Sequence, residues 1–128
     1  MPFLFHVDES TKVFHLVGTG EVNDADLMDI SGRIRQEVAF VAQYPVFCDC
    51  SAVTAVRISS SLIESLARAA MSRSNLMAIV APCAAVFGLA RMYQIFSDPE
   101  NARIRVFARA EDAKAWMDSP VEGPTVRG

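Results

Sequence analysis

From Leu76 to Ala90 the chain carries no charged residue, and Pro82 interrupts this run near its middle. A membrane span needs about 20 consecutive apolar residues, so this shorter, proline-broken run predicts buried protein interior instead. Its first part, Asn75–Ala81, shows no alternation of apolar and polar residues. Strands covered on both faces read this way, and such strands belong to parallel sheets flanked by helices. Beyond Pro82 the period changes. Val86, Leu89, Ala90, Tyr93 and Phe96 recur at helical spacing and predict a helix over about Ala84–Phe96. Gly88, Met92 and Ile95 form a second apolar face, and only Arg91 and Gln94 are polar before Ser97. A helix apolar on two sides is covered twice, once by its own sheet and once by something else. Gly88 would let another backbone approach closely.

The other elements follow from the same signals. Phe3–Val7 and Thr11–Val17 read as an antiparallel hairpin around Asp8-Glu9-Ser10, ended by Gly18 and Gly20. Asn23 is a good helix cap, and Leu27, Ile30, Ile34, Val38 and Val41 predict one helix over about Asp24–Gln43, stopped by Tyr44-Pro45. Val46–Cys50 reads as a strand broken by Asp49 and Ser51, followed by a polar bend. A helix over Ser61–Ser72 comes next, headed by a Ser61/Glu64 capping box and packed through Leu62, Ile63, Leu66, Ala67 and Ala70. Ala102–Ala108 alternates, setting Ile104 and Val106 against Arg103 and Arg105, as a half-exposed outer strand does. A last helix over about Ala110–Asp118 packs through Ala113, Trp116 and Met117. The expectation is a single α/β domain over residues 1–119, ordered β-β-α-β-α-β-α-β-α. Its five-stranded sheet is mixed and mostly parallel, it carries four helices, and a loose tail spans 120–128.

The totals narrow the function classes. With 128 residues the chain suffices for one core, and 52% hydrophobic residues with mean hydropathy +0.24 exclude disorder. A net charge of −3 offers nothing to draw nucleic acid. Three cysteines at no secretory spacing, and a strand beginning directly after Met1-Pro2, predict a reducing, cytoplasmic setting of bacterial style.

Several residues are candidates for chemistry. Ser59, Ser60 and Ser61 stand at a helix start, where capping is the plain role and a phosphate on Ser60 would be electrostatically favoured. Arg57 just before them, with Ser51 in the preceding bend, could hold an anion beside exposed N–H groups. Cys48 and Cys50 lie two apart on a strand, so they share a face. Cys83 follows Pro82 at a helix start, where a thiolate is stabilised, and is expected on the same rim as Cys50. No Cys-x-x-Cys or His-x-x-x-His pattern supports a metal, and no cofactor is expected. His6 and His15 lie on the hairpin, so no nucleophile–base pair is assignable.

Gly88-Leu89-Ala90-Arg91-Met92-Tyr93, Glu111-Asp112-Ala113-Lys114-Ala115-Trp116-Met117 and Val46–Ser51 followed by a serine-headed helix resemble the SpoIIAA-like group of STAS domains, over roughly residues 3–118. That resemblance implies a non-enzymatic module. Sigma-regulating relatives are switched by phosphorylation of a serine at the start of the second helix; a largely uncharacterised branch has been related to lipid-binding Sec14-like domains. The switch motif reads Asp-Ser-Ser-Gly, whereas Ile58-Ser59-Ser60-Ser61 lacks both the acid and the glycine.

Three functional expectations follow. The first is a binding module acting through protein contacts as a homodimer, with Phe87, Gly88, Arg91, Met92 and Ile95 at the interface. The second is a carrier or sensor for a small apolar ligand or lipid, with Arg57 or Arg91 on its polar head. The third is a thiol enzyme using Cys83.

Overall fold

The computed structural model describes residues 2–118, with the side chain of Val41 outside that description. The expected tail 120–128 also lies outside the described residues. Strands β1 (Phe3–Asp8) and β2 (Val13–Asn23) form the antiparallel hairpin. Strands β3 (Val46–Arg57), β4 (Met77–Val80) and β5 (Ile104–Phe107) then add in parallel, one after another, so spatial order equals chain order. When each new strand is added on the same side, right-handed crossovers place every connecting helix on one face. Helices α1 (Asp24–Ile34), α2 (Val38–Val41), α3 (Ser60–Ala70) and α4 (Ala84–Ser97) share that face, while α5 (Ala110–Asp118) takes the other. No helix among the described residues is long and apolar enough to cross a membrane.

Among the described residues five helices stand where four are expected, because the long first helix divides. The chain turns at Arg35–Glu37 and restarts with Glu37 as N-cap. An unbroken helix would point Val38 inward. The turn shifts the phase, so Ala39 and Phe40 are buried and Val38 is 82% exposed. Buried Asn75 then ties the segment down, its amide donating to the carbonyls of Phe40 and Tyr44 at 3.2 and 2.9 Å. At the other end of α1 the expected cap is a full capping box: Asn23 Oδ1 accepts from Asp26 N–H while Asp26 Oδ2 accepts from Asn23 N–H, at 2.9 and 3.0 Å.

Two strands run further than expected. Gly18 and Gly20 do not end β2; they sit where its pairing with β3 slips. Gly18 is needed because a Cβ there would stand 2.9 Å from the Phe3 ring, and Gly20 has φ +69°. At each slip β3 carries the extra residue. Cys48, Cys50, Val53 and Val56 therefore all face the helices, and the polar Asp49 and Ser51 stay within the strand instead of breaking it.

Helix α3 is capped by Ser59 rather than Ser61. Ser59 Oγ accepts from Leu62 N–H at 3.3 Å, and Glu64 pairs with Arg68 at 2.7 Å instead of reaching back to the helix start. In α4 the burial of two residues reverses expectation. Gln94 is buried with its amide donating to Asp98 O at 2.8 Å, while Phe96 is 43% exposed. The Val86–Ala90–Gln94 row at i, i+4 spacing faces inward, which turns Phe96 out.

Candidate functional site

The helix-covered face is not solidly filled. A cavity of about 200 Å³ lies between the sheet and α1–α4. The floor is Leu16, Val46, Cys48, Cys50, Val53 and Ile79, contributed by β2, β3 and β4. Its walls include Leu27 and Ile30 from α1, Ile63 and Leu66 from α3, and Val86 and Leu89 from α4. The lining is almost wholly hydrocarbon; its only side chains bearing oxygen or nitrogen are Ser31, Arg35, Arg73 and Tyr93.

Local sequence explains why space remains. The lining includes short side chains, Ala69 of α3 and Ala90 of α4, together with the two cysteines of β3. Short side chains on facing surfaces leave a gap that the larger residues around them do not reach across.

The two cysteines form the one close polar contact of the floor. Their sulfurs lie 3.8 Å apart. The hydrogen bond shared with Cys50, reinforced by burial, pushes the Cys48 thiol well above the usual thiol range, while the same contact draws Cys50 down. Tyr93, on the α4 wall, is raised mainly by burial, with the charges of Arg73 and Arg103 opposing the rise. Its hydroxyl stays a neutral donor and has no hydrogen-bond partner among the described residues.

Arg103, expected on a half-exposed outer strand, instead donates to Ala70 O, Asn75 O and Ser97 O at 3.0, 3.4 and 3.3 Å. It thereby closes the carbonyl ends of α3 and α4 beside the cavity. Asp98 steadies the same corner, accepting from the Arg103 and Ile104 amides at 2.8 and 2.9 Å.

The other residues singled out from sequence lie away from this cavity. Ser51 is exposed on β3, and Arg57 is exposed at that strand's end. Ser59 and Ser60 are exposed at the start of α3, where the Asp24 carboxylate already accepts the Ser59 N–H at 2.8 Å. Cys83 is the exposed N-cap of α4. It does not share a strand-end rim with Cys50, because β3 continues past Cys50 to Arg57. Gly88, Arg91, Met92 and Ile95 lie on the outer side of α4, Ile95 being 49% exposed, whereas Phe87, expected with them, is half-buried and packs against the core. Arg57 and Arg91, the arginines expected at a ligand's polar head, are outside the lining; Arg35 and Arg73 occupy it. Sequence offered little signal for these two, since Arg35 lies inside the expected first helix and Arg73 reads as a loop cation.

His6 and His15 stack on the opposite face, ring centroids 4.8 Å apart and planes 5° from parallel. Among the described residues no group of three or more His, Cys, Asp or Glu could hold a metal ion.

Comparison with known proteins gives a structural likeness. No family model matches the chain, and no curated protein matches it. Its structure is similar to the crystal structure of an uncharacterized protein from the DUF3478 family, with a SpoIIAA-like fold, from Shewanella loihica PV-4. The TM-score is 0.60 at 12% sequence identity, covering 89% of this chain and 92% of that one. The chain has a SpoIIAA-like fold. The α/β architecture with its mixed five-stranded sheet thus agrees with expectation, apart from the divided first helix.

Proposed function

We propose that this SpoIIAA-like domain is a non-catalytic binding module whose ligand is a small apolar molecule held between the sheet and α1–α4. The cavity carries this reading. An enclosed void of 200 Å³ would cost roughly 5 kcal/mol at ~24 cal/mol per Å³, and this one, partly open to solvent, costs up to that. Whole domains are stable by only about 5–15 kcal/mol, so a defect of that size is a large concession from folding to function. The absence of catalysis in this reading is supported by placement. The thiols of the lining face hydrocarbon, both histidines lie across the sheet, and Cys83 is outside.

Native mass spectrometry of freshly purified protein tests the reading. A co-purified small molecule, or uptake of 1-octanol by wild type with loss of uptake in Leu66→Phe, supports it. Protein that arrives empty and takes up no 1-octanol contradicts it.

A second surface fits protein contact. Ile95 and Phe96 stand exposed on α4 beside half-buried Phe87 and Met92, and nothing lies within 4 Å of a Cβ built on Gly88. A second copy of the chain meeting along α4 would cover this face. Light scattering at micromolar concentration reads it: a dimer that Ile95→Glu dissociates supports the contact, and a monomer removes it.

A further inference from the structure

We infer that the cavity takes a single-chain amphiphile of medium length with an anionic head, its tail lying on the thiol floor and its head held by Arg73, Arg35 and Tyr93. This rests on the apolar-ligand reading and specifies the molecule.

Charge is the first argument. Among the described residues, the only charged side chains of the lining are two arginines, and no acid lines the cavity. Neither Arg35 nor Arg73 pairs with a carboxylate among the described residues, whereas Arg33, Arg68 and Arg109 all do. Topology brings the two arginines to one end. Arg35 closes α1 and is followed by α2, which leads into β3; Arg73 follows α3, which leads into β4; and the first residues of β3 and β4, Val46 and Met77, pair side by side. A plain alternative is that each arginine merely answers the negative end of its own helix. That end amounts to about half a charge, so two full positive charges leave the mouth positive. Position also speaks against it for Arg73: its guanidinium carbon lies 4.8 Å from the centre of the Phe40 ring, a wall of the cavity, instead of reaching into water. A half-buried cation over hydrocarbon is matched best by a charged acceptor, and a guanidinium fork fits the two oxygens of a carboxylate.

The unpartnered Tyr93 hydroxyl supplies the third donor. It lines the same cavity as the two arginines, from the α4 wall.

Volume sets the tail. About 200 Å³, against the ~150 Å³ of an engineered apolar cavity that binds benzene, accommodates a tail of roughly six to eight carbons. That suits an octanoate-sized acid and is far too small for a diacyl lipid.

Calorimetric titration of the full chain with octanoate, 1-octanol, octylammonium and palmitate tests the inference. Octanoate should bind at least tenfold more tightly than 1-octanol, and octylammonium should bind worst. Palmitate should not exceed octanoate. Arg73→Met should lower octanoate affinity about tenfold and leave 1-octanol affinity unchanged; Arg35→Met should act in the same sense. If 1-octanol binds as well as octanoate, the anionic-head inference is overturned while the apolar-ligand reading survives. Palmitate binding more tightly than octanoate overturns the assigned length. Failure of every probe removes both readings. The ligand series on wild-type protein decides the matter even where an arginine variant does not fold.

Discussion

The two faces of this sheet are built by opposite means. Four helices cover one face and leave a cavity of about 200 Å³. A single helix, α5, packs the middle of the other through one large side chain. Trp116, only 6% exposed, clusters with Phe47, Ala78 and Val80, tilts against Phe107 at 5.9 Å, and lies under the Arg105 guanidinium at 5.5 Å. Number of helices therefore does not decide how well a face is filled; side-chain size at the contact does. Short side chains, Cys48, Cys50, Ala69 and Ala90, line the gap on the first face, while tryptophan meets alanine and valine on the second. A jigsaw contact of the second kind is what folding alone favours. The looser first face is where a ligand can act.

The largest test of that contrast is Trp116→Ala. Emptying the one solid contact of the α5 face should cost about 3–5 kcal/mol of unfolding free energy, read by urea denaturation. A cost below 1 kcal/mol would mean that this face is no better packed than the other. Enlarging residues should separate the faces next. Ala78→Leu, at a fully buried position under α5, should cost roughly 1–3 kcal/mol through overpacking. Leu66→Phe, pointing into the cavity, should cost less than ~1 kcal/mol or raise the Tm. Equal losses in the two variants would erase the distinction. Asn75→Ala should cost about 1–3 kcal/mol, because it frees the Phe40 and Tyr44 carbonyls that hold α2 over the cavity. Hydrogen exchange in that variant should speed up around α2 and leave α5 slow.

The smallest effect concerns pH and belongs to the α5 face. Burial, helped by the His6 and Lys114 charges and opposed by Asp8, lowers the proton affinity of His15. The fold thus favours neutral His15, and protons bind the unfolded chain first. Stability should be full above the ordinary histidine value of about 6.5 and fall as pH drops below it. The Tm measured between pH 7.5 and 5 should show that decline, and His15→Phe should flatten it. A Tm that rises on acidification would give the shift the opposite sign.

How far these features could be read in advance varies by element. The hairpin, the buried strand before Pro82 and the apolar helix after it were legible because their periods are unambiguous over many residues. The division of the first helix was not. Val38 and Val41 continue the stripe of Leu27, Ile30 and Ile34, and only the burial of Phe40 reveals the shift in phase. Gly18 and Gly20 looked like a strand end because a bulge and a terminus use the same residue. The cavity itself was out of reach, since it depends on which short side chains face one another across three layers. Arg73 shows this well: alone it reads as a loop cation, and only the ring of Phe40, 33 positions earlier, makes it a wall of the site. Excess apolar surface on α4 was legible, yet most of it turned out to belong to two different places, Leu89 lining the cavity and Ile95 facing outward.

One spectrum addresses the cavity most directly. Methyl-labelled protein titrated with octanoate should show saturable shifts at Ile30, Ile63, Val86 and Leu89, which line the cavity, while Val17 and Val80 on the other face stay in place. Shifts confined to the α5 face, or no saturable shift at millimolar octanoate, would contradict a ligand site between the sheet and α1–α4.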